Sequence, residues 1–234
     1  MNLFPASPAG GVPSYLDEVR STDKRLRYDH FAIADATRPG GRNPLINATD
    51  TGSSFGVDDG SYFVQNSNSA TTGACIYAWS GDEFPPQADA FFITKLRVID
   101  NANIRYFAGW SVKSQNDFND TDTIADDSVG FQFSTNRGDS NWQLITNNGG
   151  TQTTTDSGLA FSTSQIYIME IEFLGLGTSV RFRISDQNFN VLMGDTTVTS
   201  NLPAVTSDLS PISSLQTLAT AAKTCRFYWR ESWY

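Results

Sequence analysis

The sequence predicts an all-β protein: a two-sheet antiparallel jelly-roll sandwich with an extended N-terminal arm. Three observations predict it. From residue 61 onward, segment after segment alternates apolar and polar residues with a period of two, the signature of half-buried strands. These segments are short and separated by clusters of Gly, Asn, Asp and Ser, the residues that turns require. The composition leans the same way, with 16 Phe, 8 Tyr and 5 Trp, abundant Thr and Ser, and few runs of helix formers. A chain of 234 residues fits one large sandwich, and 39% hydrophobic residues supply a core that needs no staples.

Residues 1–14 (MNLFPASPAGGVPS) hold three of the nine prolines, Pro5, Pro8 and Pro13, together with Gly10 and Gly11. Such a segment resists helix and ladder alike and reads as an arm. The sandwich is assigned to 15–234, with early strands and long loops over 15–60. AFFITKLRVI (90–99) sets Phe92, Leu96 and Val98 on one face and Lys95 and Arg97 on the other. IRYFAGWSVK (104–113) aligns Tyr106, Ala108, Trp110 and Val112; GFQFST (130–135) offers Phe131 and Phe133; NWQLIT (141–146) offers Trp142 and Leu144. Asn147-Asn148-Gly149-Gly150 turns the chain into TQTTT.

The hairpin IYIMEIEF (166–173), LGLGTS, VRFRIS (180–185) has one register that satisfies both faces. Phe173 meets Val180, Ile171 meets Phe182 and Met169 meets Ile184, while Glu172 opposes Arg181 and Glu170 opposes Arg183. SPISSLQTLATAAKT reads either as a short helix or as a strand and turn, and CRFYWRESWY as the closing strand, with Cys225, Phe227 and Trp229 on one face.

A net charge of −9 and no Lys/Arg stripe argue against nucleic acid. No apolar run reaches the ~20 residues of a membrane helix, and the first residues lack a basic n-region and an apolar h-region, so no signal peptide is expected. Cys75 and Cys225 read as two buried thiols, or as one disulfide between an early strand and the last. His30 is the sole histidine, so neither a His-based zinc site nor a Ser-His triad can be built, and no cofactor is expected.

Four motifs invite chemistry. Residues 171–175, IEFLG, resemble the tail of the β-glucanase signature E-I-D-I-E-F-L-G. In that resemblance Glu172 falls at the general acid, Glu170 at the middle Asp and Ile168 at the nucleophile. Retaining hydrolysis needs two carboxylates ~5–5.5 Å apart, and a hydrocarbon cannot attack an anomeric carbon, so no enzyme is expected. Arg137-Gly138-Asp139 is an integrin-type tripeptide at a hairpin tip, where Gly and Asp are equally what a turn needs. NDFNDTDTIADDS (116–128) gathers Asp117, Asp120, Asp122, Asp126 and Asp127, hard ligands for Ca²⁺, without the EF-hand spacing; it reads as a solvated acidic loop rather than a metal site. Trp79, Tyr228 and Trp233 are aromatic positions able to stack on a sugar.

Residues 129–186, with the G-F-x-F-S-T and N-W-x-L strands, the Thr-rich run and the paired I-E-F/V-R-F strands, resemble concanavalin A-like lectin/glucanase domains of tailed-bacteriophage structural proteins. Leu209-Ser210-Pro211 and the strand around Phe227 resemble the end of that family. The resemblance implies a non-enzymatic virion protein, a capsid decoration (cement) protein or a small tail or fibre component. Its expected partners are other capsid or tail proteins and copies of itself, a trimer by analogy. The alternative it implies is a carbohydrate-binding module for host glycans. Leu3, Phe4 and Val12 of the arm are the expected anchors on a neighbouring subunit or shell.

Overall fold

The computed structural model describes residues 26–30, 44–47, 54–58, 62–67, 74–79, 86, 90–112 and 121–233. The arm, with Leu3, Phe4 and Val12, lies outside them, as do Asp117 and Asp120. The described residues form fifteen strands and no α-helix. The early ones are β1 (Leu26–His30), β2 (Pro44–Asn47), β3 (Ser54–Asp58), β4 (Tyr62–Asn66) and β5 (Ala74–Trp79). Next come β6 (Phe91–Val98), β7 (Ile104–Ser111), β8 (Ser128–Ser134), β9 (Asn141–Asn148) and β10 (Thr151–Ala160). The last are β11 (Tyr167–Leu174), β12 (Ser179–Asp186), β13 (Val191–Val198), β14 (Ser210–Thr217) and β15 (Thr224–Trp233).

All pairings are antiparallel, and they make two sheets. One runs β13-β12-β11-β6-β15-β4-β3, with β1 beside the second half of β15. The other runs β10-β9-β8-β7-β14-β5-β2. The 210–217 segment is therefore a strand, flanked by β7 and β5. Its ladder bonds to both neighbours outweigh the mild helical character of the residues that follow.

The period-2 alternation buries one row from each sheet in a shared aromatic core. Trp110 of β7 stacks on Phe173 of β11, with ring centroids 5.3 Å apart and planes 10° from parallel, and Phe92 meets Trp110 edge-on at 6.0 Å. Phe131 of β8 meets Phe182 of β12 at 5.3 Å, and Trp142 of β9 meets Tyr167 of β11 at 5.4 Å. Each of these rings is fully buried. Such pairs contribute ~0.5–1.5 kcal/mol each beyond the area they hide. A polar link crosses the same core: Ser213 Oγ donates to Gln65 Oε1 at 2.9 Å and lies 3.1 Å from the Tyr106 hydroxyl. Cys225, also buried, packs in this core, so its thiol belongs to the interior. The side chain of Cys75 lies outside the described residues.

Along β11 and β12 the register pairs Phe173 with Val180, Ile171 with Phe182, Met169 with Ile184, Glu172 with Arg181 and Glu170 with Arg183. The β9–β10 turn is the two-residue loop Gly149-Gly150, both at positive φ (53° and 87°), the backbone of a type I′ turn. β15 departs from simple alternation. A bulge between Phe227 and Trp229 shifts the register, so that Phe227 pairs with Leu96 and Trp229 with Lys95.

In the seven-stranded sheet Gly109 pairs with Gly130, and the Phe107 ring lies over Gly130. A Cβ at Gly130 would sit 2.5 Å from Phe107 Cζ and 2.7 Å from the Ala108 carbonyl oxygen. Gly130→Ala is expected to destabilise the fold by about 1–3 kcal/mol, the cost of overpacking, read as a lower urea midpoint with an unchanged m-value. An unchanged midpoint would mean that the Phe107 ring moves aside without cost.

Candidate functional site

The two outer faces, those turned away from the aromatic core, carry the polar chemistry, and they differ. On the seven-stranded sheet, β7 is buried on both sides, which alternation alone does not foretell. Its outer residues Arg105 and Phe107 are covered because residues 121–127 lie across this face. Ile124 enters a small apolar cluster with Phe107, Ile145 and Ile212. Two of the loop's carboxylates, Asp122 and Asp127, hold it there. Asp122 accepts from Arg105 Nε at 2.7 Å, from Asn136 Nδ2 at 2.8 Å and from the Ser134 hydroxyl. Asp127 accepts from Gly149 N at 2.6 Å, Ala204 N at 3.0 Å and the Ser207 hydroxyl. Gln152 donates to the Asp122 carbonyl at 3.1 Å and accepts from Ile124 N at 2.9 Å.

This corrects, for Asp122 and Asp127, the reading of 116–128 as a solvated acidic loop: these two carboxylates are internal staples, placed by folding against donors that are remote in sequence. Among the described residues no three His, Cys, Asp or Glu side chains come together as a metal would require.

The Arg137-Gly138-Asp139 turn is closed on itself. Arg137 donates from Nε to Asp139 Oδ1 at 2.8 Å and from Nη2 to Oδ2 at 2.6 Å, and Nη1 reaches Gln132 at 2.6 Å. Asp139 also accepts from Ser134 N at 2.8 Å, and its side chain is only 5% exposed. The two charges that an integrin-type receptor would engage neutralise each other, with Gly138 at φ 83° closing the turn.

On the eight-stranded sheet, Ile168, Glu170 and Glu172 occupy successive outward positions of β11, in the row where the glucanase-like signature falls. Ile168 is fully buried. Glu172 bonds to Arg181. Arg183 Nε lies 3.9 Å from Glu170 Oε2. Asp195 of β13 completes the ladder, 3.6 Å from both Arg181 Nη1 and Arg183 Nε. Sequence pattern misses Asp195, because the β12–β13 ladder is irregular between Phe182 and Ser185 and only the paired backbone shows which residue meets the arginines. In this row one position is hydrocarbon, and both carboxylates face guanidinium groups of β12. Further along this face, Lys95 sits over the Tyr228 ring, 5.5 Å from its centroid, and Arg97 Nε donates to the Thr163 carbonyl at 2.6 Å. The side chains of Trp79 and Trp233 lie outside the described residues.

With this geometry in hand, the comparisons place the chain. The family described as SO2946-like, C-terminal domain, matches residues 63–227. The chain belongs to that family. It is similar along 97% of its length to 96% of the protein of unknown function SO2946 from Shewanella oneidensis MR-1, at 13% identity and a TM-score of 0.66. The Lotus tetragonolobus seed lectin is similar at a TM-score of 0.58 and 10% identity, over 88% of this chain and 97% of the lectin. The CBM2 module of the evolved Dit of Lactobacillus casei BL23 phage J-1 is similar at a TM-score of 0.56 and 12% identity, over 91% and 97% of the two chains. No curated protein matches the chain in sequence. At these identities the SO2946-like chain shares a lectin-like jelly-roll fold with its neighbours, and its function rests on its own side chains.

The Asp122 staple has a measurable signature. Burial pushes its carboxyl up, but hydrogen bonds from Ser134, Asn136 and Arg105, with the Arg105 charge, outweigh that and hold it below the ordinary carboxylate value. A depressed folded pKa contributes stability that is present above the unfolded value, about 4, and is lost as pH falls through the folded value. Urea midpoints measured from about pH 7 down to about pH 2 are expected to fall along an acid limb that Asp122→Asn flattens. Identical limbs in the two proteins would remove Asp122 from this role.

Proposed function

We propose that the chain is a non-enzymatic structural module of a bacteriophage particle, a capsid decoration protein or a small tail or fibre component, held to its neighbours by residues 1–14. The observation that carries the non-enzymatic reading is the outer row of β11. There Ile168 stands where a nucleophile would be needed, and Glu170 and Glu172 are matched to Arg183 and Arg181. The likeness to a phage Dit module supports the particle setting. A self-contained sandwich with an aromatic core suits a protein whose work is to be a surface. Assembly with copies of itself, as a trimer, belongs to the same reading.

A second reading, carbohydrate binding, is favoured by the lectin-like fold and by the half-buried Tyr228 beside Lys95 on an outer sheet face. In the two readings together the sandwich meets the surroundings while the arm holds the particle.

Two outcomes are expected. Incubation with laminarin or lichenan releases no reducing sugar, and turnover abolished by Glu172→Gln would overturn the non-enzymatic reading. A protein lacking residues 1–14 keeps its β-rich circular dichroism but no longer co-sediments with phage particles. Full occupancy of the truncated protein on the particle would move attachment to the sandwich faces.

A further inference from the structure

Asn148-Gly149 is the one Asn-Gly pair in the sequence, and the fold leaves it exposed at the end of β9. Such a pair carries a chemistry of its own. The amide nitrogen that follows an asparagine can attack the carbonyl carbon of that asparagine's side chain. Glycine in second place offers no Cβ to obstruct the five-membered ring that results.

The neighbouring residues of the turn are tied down. Asn147 is fully buried; its Nδ2 donates to the Ile124 carbonyl, and its Oδ1 accepts from Gly150 N at 2.9 Å. Gly149 opens the two-residue hairpin loop between Asn148 and Thr151, so its N–H lies outside the β9–β10 ladder. That N–H donates instead to Asp127 Oδ1 at 2.6 Å. The same carboxylate accepts from Ala204 N at 3.0 Å and from the Ser207 hydroxyl. A Cβ at Gly149 would meet nothing within 4 Å, so the turn is open to water on that side.

We propose that Asn148 is a self-modification site, converting through a succinimide to aspartate and isoaspartate, and that Asp127 is the latch that restrains it. In the first step Gly149 N gives its proton to hydroxide from solvent, and its electron pair forms a bond to Asn148 Cγ. The Cγ–Nδ2 bond then breaks, and Nδ2 takes up a proton from water and leaves as ammonia. Water next adds to one of the two imide carbonyls. The bond from that carbon to Gly149 N breaks, and the nitrogen regains a proton. Opening at Cγ leaves aspartate; opening at the backbone carbonyl leaves isoaspartate. One water is consumed and one ammonia released, with no oxidation or reduction.

While Asp127 holds the Gly149 N–H, the first step is opposed twice. The proton is engaged in a charge-assisted hydrogen bond, and the nitrogen anion would form beside a carboxylate. Because Asp127 also grips Ala204 and Ser207, it lets go when this corner of the sandwich opens locally. The product is a lasting record of such openings. It sets a new carboxylate next to the residue that Asp127 holds, and isoaspartate adds a methylene to the turn that fixes the β9–β10 register. Both changes weaken the hold of residues 121–127 on the seven-stranded sheet. The inference is independent of the particle and carbohydrate readings.

The full chain, incubated in neutral buffer and followed by peptide mass mapping with isoaspartyl methyltransferase labelling, tests it. Unfolded in urea, the chain is expected to convert at Asn148 ahead of its other asparagines. The folded chain is expected to convert there about tenfold more slowly, and folded Asp127→Ala to regain about that factor, as loss of one hydrogen bond implies. Gly130→Ala, which weakens the fold without touching the turn, is expected to keep the wild-type rate. If Asp127→Ala does not fold, hydrogen exchange at the Gly149 amide of the wild type decides: protection supports the latch, and exchange at the free-chain rate overturns it. Absence of preferential conversion in the unfolded chain would overturn the site. Equal rates in wild type and folded Asp127→Ala would overturn the latch, as would an acceleration by Gly130→Ala as large as that by Asp127→Ala.

Discussion

The layer of rings between the two sheets is the contact on which the rest of the structure depends. Trp110 on Phe173, Phe131 on Phe182 and Trp142 on Tyr167 join β7, β8 and β9 to β11 and β12. Because side chains alternate along a strand, committing these rings inward decides which residues face out. A slip of one residue in either sheet would send the rings to solvent and the charges into the core. The placement of Glu170, Glu172, Lys95, Arg97 and Arg105 is therefore a consequence of where the aromatic residues must go.

The outer faces then part company. The seven-stranded sheet is sealed by residues 121–127, where Asp122 and Asp127 each satisfy several donors, and charge there serves architecture. The eight-stranded sheet carries two electrostatic arrangements side by side. Across β11, β12 and β13 acids and bases alternate and compensate, each exposed pair being worth ~0.2–1 kcal/mol. Across β6 and β15 the ladder sets Arg226 opposite Arg97, and Lys95 lies over the Tyr228 ring.

The same reasoning separates fold from activity. A lectin-like sandwich supports sugar binding, sugar hydrolysis or neither, depending on a few outward side chains. In this chain the β11 row carries a buried Ile168, and its acids face arginines on the next strand.

Local pattern by itself determined much of this protein. Period-2 alternation marks β6 to β9 and their inward residues, and the double-glycine turn marks the β9–β10 hairpin. The β11–β12 register follows from requiring apolar and charged pairs to be satisfied together, a constraint contained within about twenty residues. Tertiary structure alone decided whatever depends on residues brought from afar. That 210–217 is a strand follows from its place between β7 and β5. That Asp195 joins the arginines follows from irregular pairing along β13. That Asp122 and Asp127 act as staples follows from donors at Arg105, Ala204 and Ser207. That Arg226 opposes Arg97 follows from β15 pairing with β6, strands more than a hundred residues apart in the chain. Neighbours in sequence interact through alternation, which can be read directly. Neighbours in space are set by sheet order and bulges, which no single strand encodes.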